Sequence, residues 1–306
     1  MINFEKLIQL CGHNSAIYAL ENGLAANTFY SGSGDQLIVE WNLETLAAGV
    51  VIAKTSAIVY SIKLLGVPQL LMAGTSTGAV HIIDLKTRKE VRLLQYHQQG
   101  IFDIQISEKN NLLVLVSGDG LISFCKLDDF SLLKQMQLCN HKLRSAAISP
   151  DEKIIAVGCG DGTIAFIEVA SLKLQHQIPA HQTDYSCNTV KYVDDTILLS
   201  GGRDAILNVI DASGFAILQS IPAHNYSIYD IQFSSDKKYF ATASRDKSIK
   251  IWNTATFGFV QKIEGVTAGG HLNSVNKLVW SKFNNYLTSG SDDRSIIIWQ
   301  PTVTTH

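Results

Sequence analysis

The chain has 306 residues, 25 basic against 27 acidic side chains, a formal net charge of −2 and a sequence pI near 6.5. That balance excludes electrostatic recruitment to nucleic acid or anionic membrane, and 46% hydrophobic residues exclude disorder as the main state. The longest apolar burst, Leu112-Leu113-Val114-Leu115-Val116, is far below the roughly 18 residues of a membrane span, and the opening Met-Ile-Asn-Phe-Glu-Lys lacks a signal-peptide pattern.

In chain order, the elements repeat. A short apolar segment, Lys6-Leu7-Ile8-Gln9-Leu10, leads to Gly12-His13. From His13 the chain runs through an apolar strand, a turn and a small-residue strand to Asp35, and six residues later to Trp41. A second copy at Thr55, Thr77 and Ile83 keeps the spacing without the marker residues. The third places His97, Asp119 and Cys125 in the same order, the fourth His141, Asp161 and Ile167, the fifth His181, Asp204 and Ile210. The sixth and seventh restore the full phrase as His224, Asp246, Trp252 and His271, Asp293, Trp299.

The final positions fall at 41, 83, 125, 167, 210, 252 and 299, at intervals of 42, 42, 42, 43, 42 and 47, so the chain is a tandem repeat. Within a copy the strands are short and rich in β-branched and aromatic residues, as in 228–233, 239–244 and 248–252. Between them stand turn signals such as Ser149-Pro150-Asp151, Asp119-Gly120 and Asp161-Gly162. With five prolines and no helix-length amphipathic segment, each copy reads as a four-stranded antiparallel sheet.

Gly12-His13 near the start of a copy and a Trp followed by a polar residue at its end resemble the WD repeat. The resemblance spans nearly the whole chain, although no literal Trp-Asp occurs: the pairs are Trp41-Asn42, Trp252-Asn253 and Trp299-Gln300, with Ile83-Asp84 and Ile210-Asp211 as half matches. It implies an all-β, seven-bladed β-propeller of four-stranded antiparallel blades. The expected organisation is one domain over 1–306, with successive repeats at 13–54, 55–96, 97–140, 141–180, 181–223, 224–270 and 271–306. Only seven residues follow Trp299, so residues 1–12 are expected to complete the last blade and close the ring.

Ser, His and Asp in each copy invite a catalytic-triad reading, but six of the nine histidines sit at the repeat position, and catalysis needs one constellation. The resemblance implies instead a hydrogen-bonded brace in every blade: His224, Asp246, Ser244 or Thr242, and Trp252, with the corresponding sets around His13, Asp35, Trp41 and His271, Asp293, Trp299. Histidines one blade apart cannot converge on a metal, and His81, His176 and His306 are scattered. The five cysteines, Cys11, Cys125, Cys139, Cys159 and Cys187, show no C-x-x-C spacing, which argues against a disulfide framework or zinc knuckle and for a reducing, cytoplasmic setting. Neither a catalytic residue, a metal nor a cofactor is expected, and no phosphate loop appears; Ser31-Gly32-Ser33-Gly34 and Gly158-Cys159-Gly160 read as hairpin turns.

Positions that do not serve the scaffold carry the functional reading. The first residue of each innermost strand is expected at the channel mouth: Tyr18, Tyr60, Phe102, Arg144, Asn188, Tyr229 and Asn276. Four are aromatic, a platform for stacking or cation–π capture. The residue before each turn Asp also faces that mouth: Gly34, Ser76, Gly118, Gly160, Arg203, Arg245 and Asp292. Arg144, Arg203 and Arg245 are thus expected on one arc and Tyr18, Tyr60 and Phe102 on the other. Longer loops at 181–186 and 264–270 border the same face. The expected function is a non-catalytic scaffold or adaptor binding a protein or peptide partner, without nucleic acid or membrane. The alternatives are a propeller enzyme with a channel-mouth active site and a structural subunit assembling through its blade edges.

Overall fold

The computed structural model describes residues 2–303, so His306 lies outside the described residues. β1 (Ile2–Cys11) opens the chain. The first sheet follows as β2 (Ile17–Asn22), β3 (Thr28–Ser33), β4 (Leu37–Asn42) and β5 (Val50–Lys54), and the second as β6 (Val59–Leu65), β7 (Leu70–Thr75), β8 (Val80–Asp84) and β9 (Lys89–Leu94). The third is β10 (Ile101–Ser107), β11 (Leu112–Ser117), β12 (Leu121–Lys126) and β13 (Leu132–Gln137). The fourth is β14 (Leu143–Ile148), β15 (Ile154–Cys159), β16 (Thr163–Glu168) and β17 (Lys173–Pro179). The fifth is β18 (Cys187–Tyr192), β19 (Ile197–Gly202), β20 (Ile206–Asp211) and β21 (Ala216–Pro222). The sixth is β22 (Ile228–Phe233), β23 (Tyr239–Ser244), β24 (Ile249–Asn253) and β25 (Phe259–Ile263), followed by a four-residue helix, α1 (Gly265–Ala268).

The last sheet draws on both ends of the chain. β26 (Val275–Trp280), β27 (Leu287–Ser291) and β28 (Ser295–Val303) supply three strands, and β1 pairs antiparallel with β28 from Ile2 opposite Val303 to Cys11 opposite Ser295. Phe4 of β1 is 1% exposed and meets Trp280 edge-on at 5.4 Å, so the closing strand carries core as well as hydrogen bonds. Seven four-stranded antiparallel sheets in tandem make this a seven-bladed β-propeller, and the N-terminal strand completes the last blade.

The chain divides into two compact units. The first comprises Met1–Leu71, Ile83–Lys89 and Tyr229–His306, the second Met72–Ile82 and Glu90–Ile228. In the first, Phe4, Val275, Leu278, Trp280 and Trp299 pack with Ile249 and Ile251 of the sixth sheet, and Ile17, Phe29 and Trp41 pack with Ile296 and Ile298 of the seventh. In the second, Leu112, Val114, Val116 and Phe124 pack against Leu143, Val157 and Ile167 of the fourth sheet. The continuous apolar run 112–116 is therefore a strand covered on both faces, and every residue of β11 is buried.

Each hairpin between the second and third strands turns through a left-handed residue. Glycine takes it at Gly78, Gly120 and Gly162, with φ of 84°, 81° and 91°, and Gln36, Ala205, Lys247 and Arg294 take it in the other sheets with φ of 67–72°. These turns fix the aspartates that precede them.

Candidate functional site

The repeated histidines, hydroxyls and aspartates form buried braces. In the first sheet the Trp41 indole N–H donates to Ser31 Oγ at 2.7 Å, and Ser31 Oγ meets His13 Nε2 at 2.7 Å. His13 Nδ1 reaches Asp35 at 3.0 Å, and the Asn14 amide donates to the same carboxylate at 2.8 Å. The seventh sheet repeats this with Trp299, Ser289, His271 and Asp293 at 2.9, 2.8 and 2.9 Å. One proton assignment satisfies every partner: Nδ1–H donates to the carboxylate, and Nε2 accepts the hydroxyl proton.

Elsewhere the brace is built from substitutes. In the sixth sheet Trp252 donates to Thr242 at 2.9 Å, so Thr242 and not Ser244 takes the hydroxyl role, while Ser244 Oγ accepts the Asp246 amide at 3.0 Å. His224 is buried. In the third sheet Leu115 stands where a hydroxyl is needed, and its register partner Ser123 on β12 supplies one, 2.8 Å from His97 Nε2. Gln135 donates to that hydroxyl at 3.0 Å in place of an indole. In the fifth sheet His181 bridges Asp204 and Ser200, each at 3.0 Å.

The fourth sheet corrects the expectation for His141, which is exposed. Its buried place belongs to Cys139, which stands 22 residues before Asp161, the interval that separates His13 from Asp35, His97 from Asp119 and His271 from Asp293. Hydrogen bonding to Cys159 holds the Cys139 thiol down at about 7 against the upward push of burial.

Burial pushes the carboxyls of Asp35, Asp119, Asp204 and Asp293 upward, but bonds from backbone amides and the histidine rings outweigh it and hold all four below the ordinary value. Burial lowers His97, and the Asp119 charge and hydrogen bond oppose that shift without cancelling it. The Ser–His–Asp distances resemble a catalytic triad. Yet Ser31, Ser123, Ser200 and Ser289 are all 0% exposed, so no substrate carbonyl reaches these hydroxyls.

The channel-mouth candidates occupy a different kind of position. Tyr18, Phe102, Arg144, Asn188 and Asn276 are each the second residue of the first strand of their sheet, one place further in than the sequence suggests, and each falls at a β-bulge. A bulge leaves its residue unpaired and re-aims the side chain. Tyr60 and Tyr229 hold the same second place in β6 and β22. The bulge also frees amides of the strand, which are taken up from the preceding sheet: Asp103 accepts from the Ala146 amide at 2.8 Å, and Asp230 from the Leu278 amide at 2.9 Å.

The bulge residues then separate by chemistry. Asn188 donates to the Ile228 carbonyl at 2.9 Å and Asn276 to the Ile17 carbonyl at 3.0 Å, so both asparagines tether adjacent sheets. The aromatic and arginine members are half-buried. In the first unit Tyr18 meets Tyr60 edge-on at 5.4 Å; burial, the Asp292 charge and Tyr60 raise the Tyr18 phenol. In the second unit the Arg144 guanidinium lies over Phe102 at 4.6 Å, so positive charge and aromatic surface are interleaved there. Arg203 is exposed and lies 5.4 Å over Tyr185, a residue of the long 181–186 loop. Arg245 is also exposed. Crowding accounts for the two glycines before the turn aspartates Asp35 and Asp119: a Cβ on Gly118 would stand 3.0 Å from the Phe102 ring, and one on Gly34 2.6 Å from Ser15 Oγ.

A cavity of about 300 Å³ in the second unit is lined by Lys109, Asp151, Glu152, Lys153, Glu168 and Asp195. Its most perturbed acid is a turn cap: the Ser149 hydroxyl and Lys153 hold Asp151 down at about 2.

The pattern of propeller blades, buried braces and interrupted Trp-Asp pairs has counterparts. The family description "WD domain, G-beta repeat" matches residues 215–253 and 264–300, and "Anaphase-promoting complex subunit 4 WD40 domain" matches 104–195. The chain belongs to the WD-repeat family. WD repeat-containing protein 55 of Arabidopsis thaliana is 25% identical over 67% of this chain and 56% of its own length, and a 66 kDa stress protein of Physarum polycephalum 24% identical over 95% and 40%. The chain thus spans about half the length of these curated relatives. The crystal structure of the WD40 β-propeller domain of Doa1 superposes with a TM-score of 0.85 at 17% identity, covering 97% of each chain. WD-repeat propellers serve generally as non-enzymatic scaffolds for protein interaction. Among the described residues no helix is long and apolar enough to cross a membrane.

Proposed function

We propose that this WD-repeat chain is a non-catalytic cytoplasmic scaffold that grips a protein or peptide partner on its channel-mouth face. The first unit contributes Tyr18, Tyr60, Tyr229 and Arg245, the second Phe102, Arg144 and Arg203. The observation that carries the reading is the division among these second-position residues: the asparagines tether neighbouring sheets through carbonyl bonds, whereas the aromatic residues and Arg144 are only partly buried and present rings and a cation at the surface. The partner that fits is an extended peptide with apolar or aromatic groups for the rings and an acidic group for the arginines.

An affinity pull-down comparing wild type with a Tyr18, Tyr60, Phe102 and Tyr229 alanine variant tests this. The expected result is loss of specific partners at unchanged melting; equal recovery rejects it. Replacing Arg203 and Arg245 by alanine is expected to weaken binding and flatten its salt dependence, and an unchanged salt slope rejects their part.

Exposed apolar residues on fourth strands favour a second reading, assembly through blade edges: Leu93 is 51% exposed on β9, Leu133 48% on β13 and Leu218 59% on β21. That reading expects Leu133→Asp and Leu218→Asp to abolish association while the aromatic variant leaves it intact.

A further inference from the structure

The fourth sheet departs from its siblings at two positions that meet in space. Cys139 stands at the histidine position, and Cys159, two residues before the turn aspartate, stands where the first, third, sixth and seventh sheets carry Ser33, Ser117, Ser244 and Ser291. The two sulfurs and a carboxylate oxygen of Asp161 all lie within 4.8 Å of one another. Both cysteines are free and buried.

The carboxylate is also served differently. In Asp35, Asp119, Asp204 and Asp293 the Oδ2 oxygen takes a histidine Nδ1 and a backbone amide. In Asp161 the Thr163 amide and hydroxyl both go to Oδ1, at 3.0 and 2.6 Å, and among the described residues no donor is bonded to Oδ2. One thiol replaces the imidazole that donates to Oδ2 in the other sheets and a second replaces the serine that accepts the aspartate amide, which leaves, among the described residues, two sulfurs beside a carboxylate oxygen that no donor serves.

We propose that Cys139, Cys159 and Asp161 form a binding site for a soft divalent cation of the zinc class. Tetrahedral zinc sets sulfur and carboxylate donors about 3.5–3.8 Å apart, so a cluster already within 4.8 Å closes on a metal by a contraction of at most about 1.3 Å. His141 is exposed, and its Cβ lies 2.8 Å from where a Cβ on Gly160 would stand, between Cys159 and Asp161. No ring nitrogen of a described histidine joins the three ligand atoms within 4.8 Å, so a water fills the fourth position. Each thiol loses its proton as the metal–sulfur bond forms, so one cation taken up releases two protons to solvent, and no electron is transferred.

The test is a titration of the full chain with Co²⁺ under a non-thiol reductant, followed by displacement with Zn²⁺. A sulfur-to-cobalt charge-transfer band that saturates at one equivalent, with two protons released per metal in weak buffer, is expected. Cys159→Ser installs the residue that four sibling sheets carry, so it is expected to melt like wild type while losing the band. Cys139→Ala is a second route to the same loss, and Asp161→Asn is expected to weaken binding by at least about tenfold. Cys11→Ser, at an exposed thiol, is expected to bind as wild type does. No band in wild type, a band that survives both Cys159→Ser and Cys139→Ala, or oxidation of the pair to a disulfide that cobalt does not prevent, would overturn the assignment.

Discussion

All four tryptophans, Trp41, Trp252, Trp280 and Trp299, belong to the first unit, and the second unit has none. The first unit braces its first and seventh sheets with the complete set of indole, hydroxyl, imidazole and carboxylate. The second keeps the imidazole and carboxylate in its third and fifth sheets, finds its hydroxyl on either strand, and in its fourth sheet abandons the histidine altogether. The comparison teaches that the hydroxyl is the hub and the indole one of several donors that can serve it. It also explains why the Trp-Asp signature fades in the middle of the sequence while the blades persist.

The largest expected effect falls on the first unit. Deleting residues 2–11 removes β1 and the buried Phe4, and the loss should exceed the roughly 3–5 kcal/mol of a single Phe-to-Ala truncation. Denaturant melts should show loss of cooperativity throughout the chain; an unchanged midpoint would detach β1 from the core. Next comes a matched pair. Ser289→Ala orphans both the Trp299 N–H and His271 Nε2, at roughly 1–3 kcal/mol for each group, whereas Ser123→Ala orphans only His97, because Gln135 also bonds the Tyr96 carbonyl at 3.0 Å. Equal losses would remove the distinction between the units.

Acid should separate the units in sequence. Burial holds the folded His97 below its free value of 6.5, so its contribution is present above that pH and declines as pH falls below it. The brace carboxyls lie below their free value of 3.8, so their stabilisation is present above 3.8 and is lost as pH falls through the lower folded values. Tryptophan fluorescence reads the first unit alone. Circular dichroism melts should therefore weaken before fluorescence melts between pH 6.5 and 4, and simultaneous loss would contradict the contrast. The smallest effect is local: Lys247→Gly and Ala205→Gly, one in each unit, relieve left-handed residues and should stabilise by up to about 1 kcal/mol.

Much of this was legible in the sequence. The 42-residue spacing, the buried run 112–116 and the strand ahead of Gly12 specify seven sheets and the partner of β28, because period and burial are written in side chains. The bulges were not legible: one extra residue in a strand leaves no compositional trace, so Tyr18 and Phe102 stand one position deeper than the alternation suggests. Nor was the Leu115–Ser123 exchange, which is visible only once strands are in register. The error at His141 was avoidable, since the 22-residue interval back from Asp161 ends on Cys139. Identity of residue type outweighed spacing, and spacing was the better guide.

Hydrogen exchange on the partner-bound protein tests the recognition account most directly. Protection of the amides at 17–19, 59–61, 101–103, 143–145 and 228–230, with β9, β13 and β21 exchanging as in the free chain, is the predicted result. Protection confined to those fourth strands would contradict it.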